Sequence, residues 1–138
     1  MKLTFIPSIL PLLVLLLITN HAIAVDNEVL FADQTIVGSE LIEFPNDSKV
    51  YANKSDFEIL HSLLMSNEIG ERWATITVVN HAGGRRELNQ DHILALMANG
   101  SRRFPLRFSR DFKSQQTLSV LIRFGSNQFP ILRISTRQ

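Results

Sequence analysis

Cysteine is absent from all 138 residues. That removes disulfides, thiolate metal ligands, thiol nucleophiles and a lipid-modified cysteine, so core packing alone has to hold the fold. Tryptophan and tyrosine occur once each, as Trp73 and Tyr51. There is no internal repeat, low-complexity tract or interdomain linker. Apolar runs are confined to one place, FIPSILPLLVLLLI from Phe5 to Ile18. No later stretch approaches the roughly 20 apolar residues that a membrane-crossing helix needs. Three catalytic signatures are also missing: a Gly-x-Ser-x-Gly elbow, a His-Glu-x-x-His helix and a Gly-x-x-x-x-Gly-Lys-Ser/Thr loop. These absences predict a non-catalytic protein with no cofactor.

The N-terminus carries what the rest lacks. Met1-Lys2 is a positive start, Phe5 to Ile18 is an apolar core, and TNHAIA (Thr19 to Ala24) has a small-x-small ending. Together they are the parts of a secretory signal peptide, short for a membrane span and interrupted by Pro7 and Pro11. Residues 1–24 are therefore expected to be cleaved after Ala24, the alternative being an uncleaved anchor. Residues 25–138 then form a single small β-rich domain with no transmembrane segment. A domain of this size buries over about 60% of its extended-chain surface, so no covalent staple is required. Export without cysteine predicts a bacterial periplasmic or secreted setting. Three Asn-x-Ser sequons, at Asn46, Asn53 and Asn99, pull the other way.

Period-two alternation dominates the second half. In RWATITVVN, Ala74, Ile76 and Val78 share one face, with Thr75, Thr77 and Val79 on the other. In RRFPLRFSR, Phe104, Leu106 and Phe108 are expected inward, with Arg103, Pro105, Arg107 and Ser109 outward. Pro105 has no amide donor and suits an edge strand or an irregular start. Leu118, Val120, Ile122 and Phe124 alternate with Ser119, Leu121 and Arg123, and ILRIS is expected to bury Leu132 and Ile134 and expose Arg133. EVLFA, ELIEF and KVYAN (Glu28 to Ala32, Glu40 to Phe44, Lys49 to Asn53) read as short strands between turn-formers.

Two segments carry mixed signals. SDFEILHSLLMS has Ser55 and Glu58 in capping-box spacing, yet Phe57, Ile59, Leu63 and Met65 also fit a strand broken at His61, which is the reading preferred. LNQDHILALMANGS has Asn89 or Asp91 as a cap, Leu94, Met97 and Ala98 at helical spacing and Gly100 as a stop, so a short helix or helical turn is expected. At least six short strands with turns about ten residues apart predict a small antiparallel β-sandwich, with α+β as the runner-up. In pattern the chain resembles immunoglobulin-like modules of exported bacterial proteins: a strand ending in Asn80, a turn, a short segment with Asn99-Gly100, then two alternating strands. It lacks their Cys-Trp-Cys signature.

Among chemistry-bearing candidates, NHAGGRR (Asn80 to Arg86) stands out. A phosphate-cradling loop needs a helix start after its glycines, which RRELNQ does not provide. Gly83-Gly84 between strand-like residues predicts a hairpin turn, leaving Arg85 and Arg86 exposed at its exit. His61, His81 and His92 lack metal-ligand spacing, although His81 and the Asp91-His92 pair are brought into consideration as zinc ligands if the fold joins them.

Charge is the feature above background. From Val25 to Glu71 there are ten acidic residues and two lysines, a net of −8; from Arg72 to Gln138 there are eleven basic residues, ten of them arginine, and three acidic ones, a net of +8. One reading is internal neutralisation, with each exposed pair adding about 0–1 kcal/mol. The sharper reading takes Arg103, Arg107, Arg123 and Arg133 as one basic face, with Arg85, Arg86 and Trp73 as further binding candidates and Leu121 or Phe129 nearby. Such a face suits an acidic envelope protein first, an envelope polyanion or other ligand second, and self-association of acidic with basic halves third. An exported, net-neutral domain is a poor fit to nucleic acid. A hydrolase or metal-dependent enzyme stays as a third class of function without a motif to carry it.

Overall fold

The computed structural model describes residues 29–33, 44–45 and 50–138. The expected signal peptide, its cleavage site and nearly all of ELIEF lie outside them. The fold is mostly β, with antiparallel sheets: β1 (Phe31–Ala32), β2 (Phe57–Ser66), β3 (Glu71–Asn80), β4 (Arg86–Asn89), β5 (Leu94–Met97), β6 (Arg102–Arg103), β7 (Ser109–Phe112), β8 (Thr117–Ser126) and β9 (Ile131–Ser135). Among the described residues three sheets result, a four-stranded one in the order β1-β2-β3-β8, a pair β4-β7, and a three-stranded one in the order β6-β5-β9. No helix among the described residues is long and apolar enough to cross a membrane.

All three sheets feed one buried cluster. Ala74, Ile76 and Val78 of β3 and Val120, Ile122 and Phe124 of β8 meet Leu88, Ala95, Met97, Phe112, Ile131 and Ile134 from the smaller sheets. The expected alternation of β3 and β8 holds, because each presents every second residue to this core. Phe57 and Phe112 pack edge to face at 5.2 Å. Fully burying a side chain of this kind contributes about 1.5–3 kcal/mol, and the edge-on geometry adds to it.

Three expectations fail at bulges or at proline. In β2 the register slips between Ile59 and His61, so Leu60 is an extra residue. Beyond that bulge the faces exchange: Leu64 packs inward with Ile59, whereas Leu63 is exposed on the opposite side. In β9 the extra residue is Leu132, so Ile131, not Leu132, joins Ile134 in the core. RRFPLRFSR is not one strand. Residues 104–108 are irregular between β6 and β7, with Phe104 and Leu106 exposed and Pro105 buried. A bulge swaps sides because the side-chain period is two, and proline ends pairing because it cannot donate to the ladder.

The helical signals around residue 90 are real but brief. Asn89 and His92 form a capping box on a single 3-10 turn, Gln90–His92, after which Leu94–Met97 is strand rather than helix. All four residues of that strand are buried, so it shows no alternation to read. Gly100 has φ of 84° and turns β5 into β6. Residues 50–53, expected as strand, are irregular.

The Gly83-Gly84 hairpin does not form. β3 pairs with β2 and β8, and β4 pairs with β7, so the segment between β3 and β4 crosses from one sheet to another. Neither glycine has positive φ. The corner is held instead by Asn80, whose side chain is fully buried. Its Nδ2 donates to the carbonyls of Gly84 (3.0 Å) and Lys113 (2.9 Å), and its Oδ1 accepts from the Ala82 amide (3.0 Å). The hairpin proper is at Asn67–Gly70, where Gly70 has φ of 82° and donates to the Asn67 carbonyl.

Candidate functional site

Two outward sheet faces carry the chemistry. On the four-stranded sheet, cross-strand pairing sets out rows. Met65, Trp73 and Arg123 are neighbours in one row, Leu63, Thr75 and Leu121 in the next, and His61, Thr77 and Ser119 in the third. Leu63 and Leu121 are 51% and 53% exposed, so the middle row is an apolar strip open to solvent. The Arg123 guanidinium lies 4.5 Å from the Trp73 ring centroid and pairs with Glu71 at 3.0 Å. A cation over an indole face contributes about 0.5–1 kcal/mol at an exposed site. Beneath it, Trp73 Nε1 and Glu71 Oε2 are buried without a hydrogen-bond partner. At the far end of the sheet, His81 Nε2 meets Glu58 at 2.6 Å.

On the three-stranded sheet, Leu96 of β5 pairs with Arg102 on one side and Arg133 on the other. Ala95 and Met97 face the core, so Leu94 and Leu96 face outward, yet both are buried. Long arginine stems cover apolar surface while keeping the charge in water. Arg102 and Arg133 line a shallow cleft over these leucines of about 10 Å³, room for roughly one water. Tyr51 lies alongside, its ring centroid 5.8 Å from the Arg102 guanidinium and 5.5 Å from that of Arg137.

The single arginine face expected from the sequence is not one face. Arg123 is on the four-stranded sheet, while Arg103 and Arg133 belong to the three-stranded one. Arg103 pairs with core-facing Ala95, and its Nη1 donates to the carbonyls of Ser126 (2.9 Å) and Phe124 (3.3 Å) at the end of β8. It ties two sheets together, and its neighbour Arg102 takes the outward place. Arg107 is exposed in the irregular run after β6. Arg85 pairs with Asp111, whose hydrogen bond and charge hold the guanidinium pKa above the ordinary arginine value. Arg86 reaches Asp56 at 3.3 Å. Of the expected set, Trp73 and Arg123 are brought into contact across strands, and Arg86 donates to the carbonyl of its neighbour Arg85 at 3.0 Å.

Internal neutralisation accounts for part of the charge pattern. Arg86 with Asp56 and Arg123 with Glu71 join the basic half to the acidic half. Arg72, where the sign changes, is a strut: it donates to the Ser66 hydroxyl and to the carbonyls of Asn127 and Gln128, and Ser66 in turn donates to Asp33. The histidines do not converge. His81 is bound to Glu58, while His92 Nδ1 accepts from the Asn89 amide. Among the described residues no three His, Asp or Glu side chains gather as a metal site would need. Arg102, Arg137 and Tyr51 were not among the expected site residues; the doublet Arg102-Arg103 alone gives no sign of which member faces out. No family model, curated protein or solved structure matches the chain.

Proposed function

We propose that this is an exported, non-catalytic protein-interaction domain of the bacterial envelope, built as a small β-sandwich, and that it docks a protein partner on the outer face of its four-stranded sheet. The observation that carries the reading is the strip Leu63–Thr75–Leu121 beside the stacked Trp73 and Arg123. Half-exposed leucines next to a tryptophan and an arginine have the make-up of an interface hot spot, in which apolar and aromatic anchors are rimmed by polar groups. The sandwich is supported by a core to which the four-stranded sheet and the smaller sheets all contribute.

The reading is tested with a photo-crosslinking residue in place of Thr75, activated in the intact envelope of an expressing bacterium. One defined protein is expected to be trapped, and Leu63→Asp with Leu121→Asp in the same chain is expected to abolish trapping while the far-ultraviolet spectrum is kept. Trapping that is unchanged by the two aspartates removes this face from the proposal. A crosslinked pair of identical chains redirects it to self-association.

A further inference from the structure

β8 is an edge strand, and its ladder fixes which of its residues face the open side. Gln116 accepts from the Asn80 amide at 3.0 Å on the β3 side, whereas Arg123 accepts from the Leu106 amide at 2.7 Å on the opposite side. The register with β3 runs unbroken from Thr117 to Arg123. Along an antiparallel pair, residues alternate between those that bond to the neighbour and those that do not. Leu118, Val120 and Ile122 therefore bond to β3, while Thr117, Ser119, Leu121 and Arg123 turn their backbone groups to the edge. The Arg123 end of that edge is closed by the Leu106 amide and by Arg103, which donates to the Phe124 and Ser126 carbonyls. At the other end the chain turns back into β7, which pairs with β4 rather than with β8. Among the described residues, Thr117 to Leu121 have no strand on that side.

Sheet edges are ordinarily guarded by brevity, bulges, charge or proline. The other edges among the described residues are guarded in this way. β1 and β6 are two residues long. β2 carries Glu58 and the bulge at Leu60, and β9 carries Arg133 and the bulge at Leu132. β4 and β7 carry Glu87 and Asp111. Thr117-Leu118-Ser119-Val120-Leu121 has no charge, proline or bulge, and Thr117, Ser119 and Leu121 are exposed.

The segment is also its own complement. Two copies related by a twofold axis at Ser119 pair antiparallel, Ser119 against Ser119, so that every edge amide meets an edge carbonyl. On the outer face Thr117 of one copy then lies opposite Leu121 of the other. On the inner face Leu118, only partly buried within its own chain, gains Val120 as an apolar cross-strand neighbour. We infer that the protein associates with a second copy of itself through the Thr117–Leu121 edge of β8, joining the two four-stranded sheets into one. The seam runs along an edge rather than over the docking strip, and it does not rest on the docking reading.

The cysteine-free chain makes the register directly testable. Opposed Cα atoms in a hydrogen-bonded antiparallel pair lie about 5.5 Å apart, within disulfide reach. Thr77, one strand further in, lies about 15 Å from its counterpart, because neighbouring strands are about 4.8 Å apart. The parent protein is expected to sediment as a dimer that dissociates on dilution. Under mild oxidation Ser119→Cys is expected to give a covalent dimer and Thr77→Cys a monomer. Ser119→Pro removes the bonds at the centre of the seam without touching the β3–β8 ladder. It is expected to weaken dimerisation about tenfold or more while keeping the far-ultraviolet spectrum. Should that variant fail to fold, Ser119→Lys, which sets like charges opposite each other, is expected to weaken dimerisation, and mixing it with Ser119→Asp to restore it. A monomer at every concentration, no more disulfide from position 119 than from position 77, or dimerisation unchanged by Ser119→Pro overturns the proposal. Ser119→Pro leaves trapping of a different protein from position 75 unchanged, so failure here is separable from failure of the docking reading.

Discussion

The two outward faces differ most in where their leucines lie. On β2 and β8, Leu63 and Leu121 are 51% and 53% exposed, whereas on β5 Leu94 and Leu96 are 4% and 8% exposed. Arginine behaves differently on each. Arg123 lies over the Trp73 ring with its charge met by Glu71, so the four-stranded sheet presents apolar surface beside a neutralised arginine. Arg102 and Arg133, each half-buried and already partnered, flank Leu96, so on the three-stranded sheet the arginines lie beside covered leucines. One residue type thus makes two kinds of surface, depending on whether its cross-strand neighbour is an aromatic ring or an aliphatic side chain.

The comparison breaks hardest at Asn80, which fixes the crossing between the sheets. Asn80→Ala leaves the Gly84 and Lys113 carbonyls and the Ala82 amide without their partner, an expected loss of about 2–4 kcal/mol in urea unfolding. Asn80→Asp, of the same shape, is expected to destabilise as well, because it turns acceptor oxygens toward two carbonyls. A loss below about 0.5 kcal/mol for both places the corner's stability elsewhere.

Next comes Leu63→Asp with Leu121→Asp, expected to abolish partner crosslinking while changing stability by less than about 1 kcal/mol, since both side chains are half exposed. The smallest effect belongs to Arg123→Gln. Losing the stacked cation and its ion pair is expected to cost about 0.5–1.5 kcal/mol and to shift the emission of Trp73 to the red as water reaches the indole. An unchanged emission maximum means that Arg123 does not cover the ring in solution.

β3 and β8 were legible because each has one buried and one open face, which writes a clean alternation into the sequence. The preferred strand at residues 55–66 was right in kind but wrong in facing beyond Leu60, since a single bulged residue reverses parity without leaving a mark in composition. β5 escaped for the opposite reason: Leu94 to Met97 are buried on both faces, so periodicity has nothing to report. Gly83-Gly84 looked like a turn, but local chemistry does not say whether the next strand returns to the same sheet. The charge switch at Arg72 was visible, but its division into struts, pairs and a surface cluster was not. Arg102 and Arg103 are adjacent, and only the register with β5 decides which lies beside Leu96 and which clamps β8.

The lone tryptophan lies beside the Leu63–Thr75–Leu121 strip. The most direct test is photo-crosslinking from position 75 in the intact envelope, with and without Leu63→Asp and Leu121→Asp. The account predicts one defined partner trapped by the parent chain and lost in the double variant. Trapping that the two aspartates leave unchanged would contradict it.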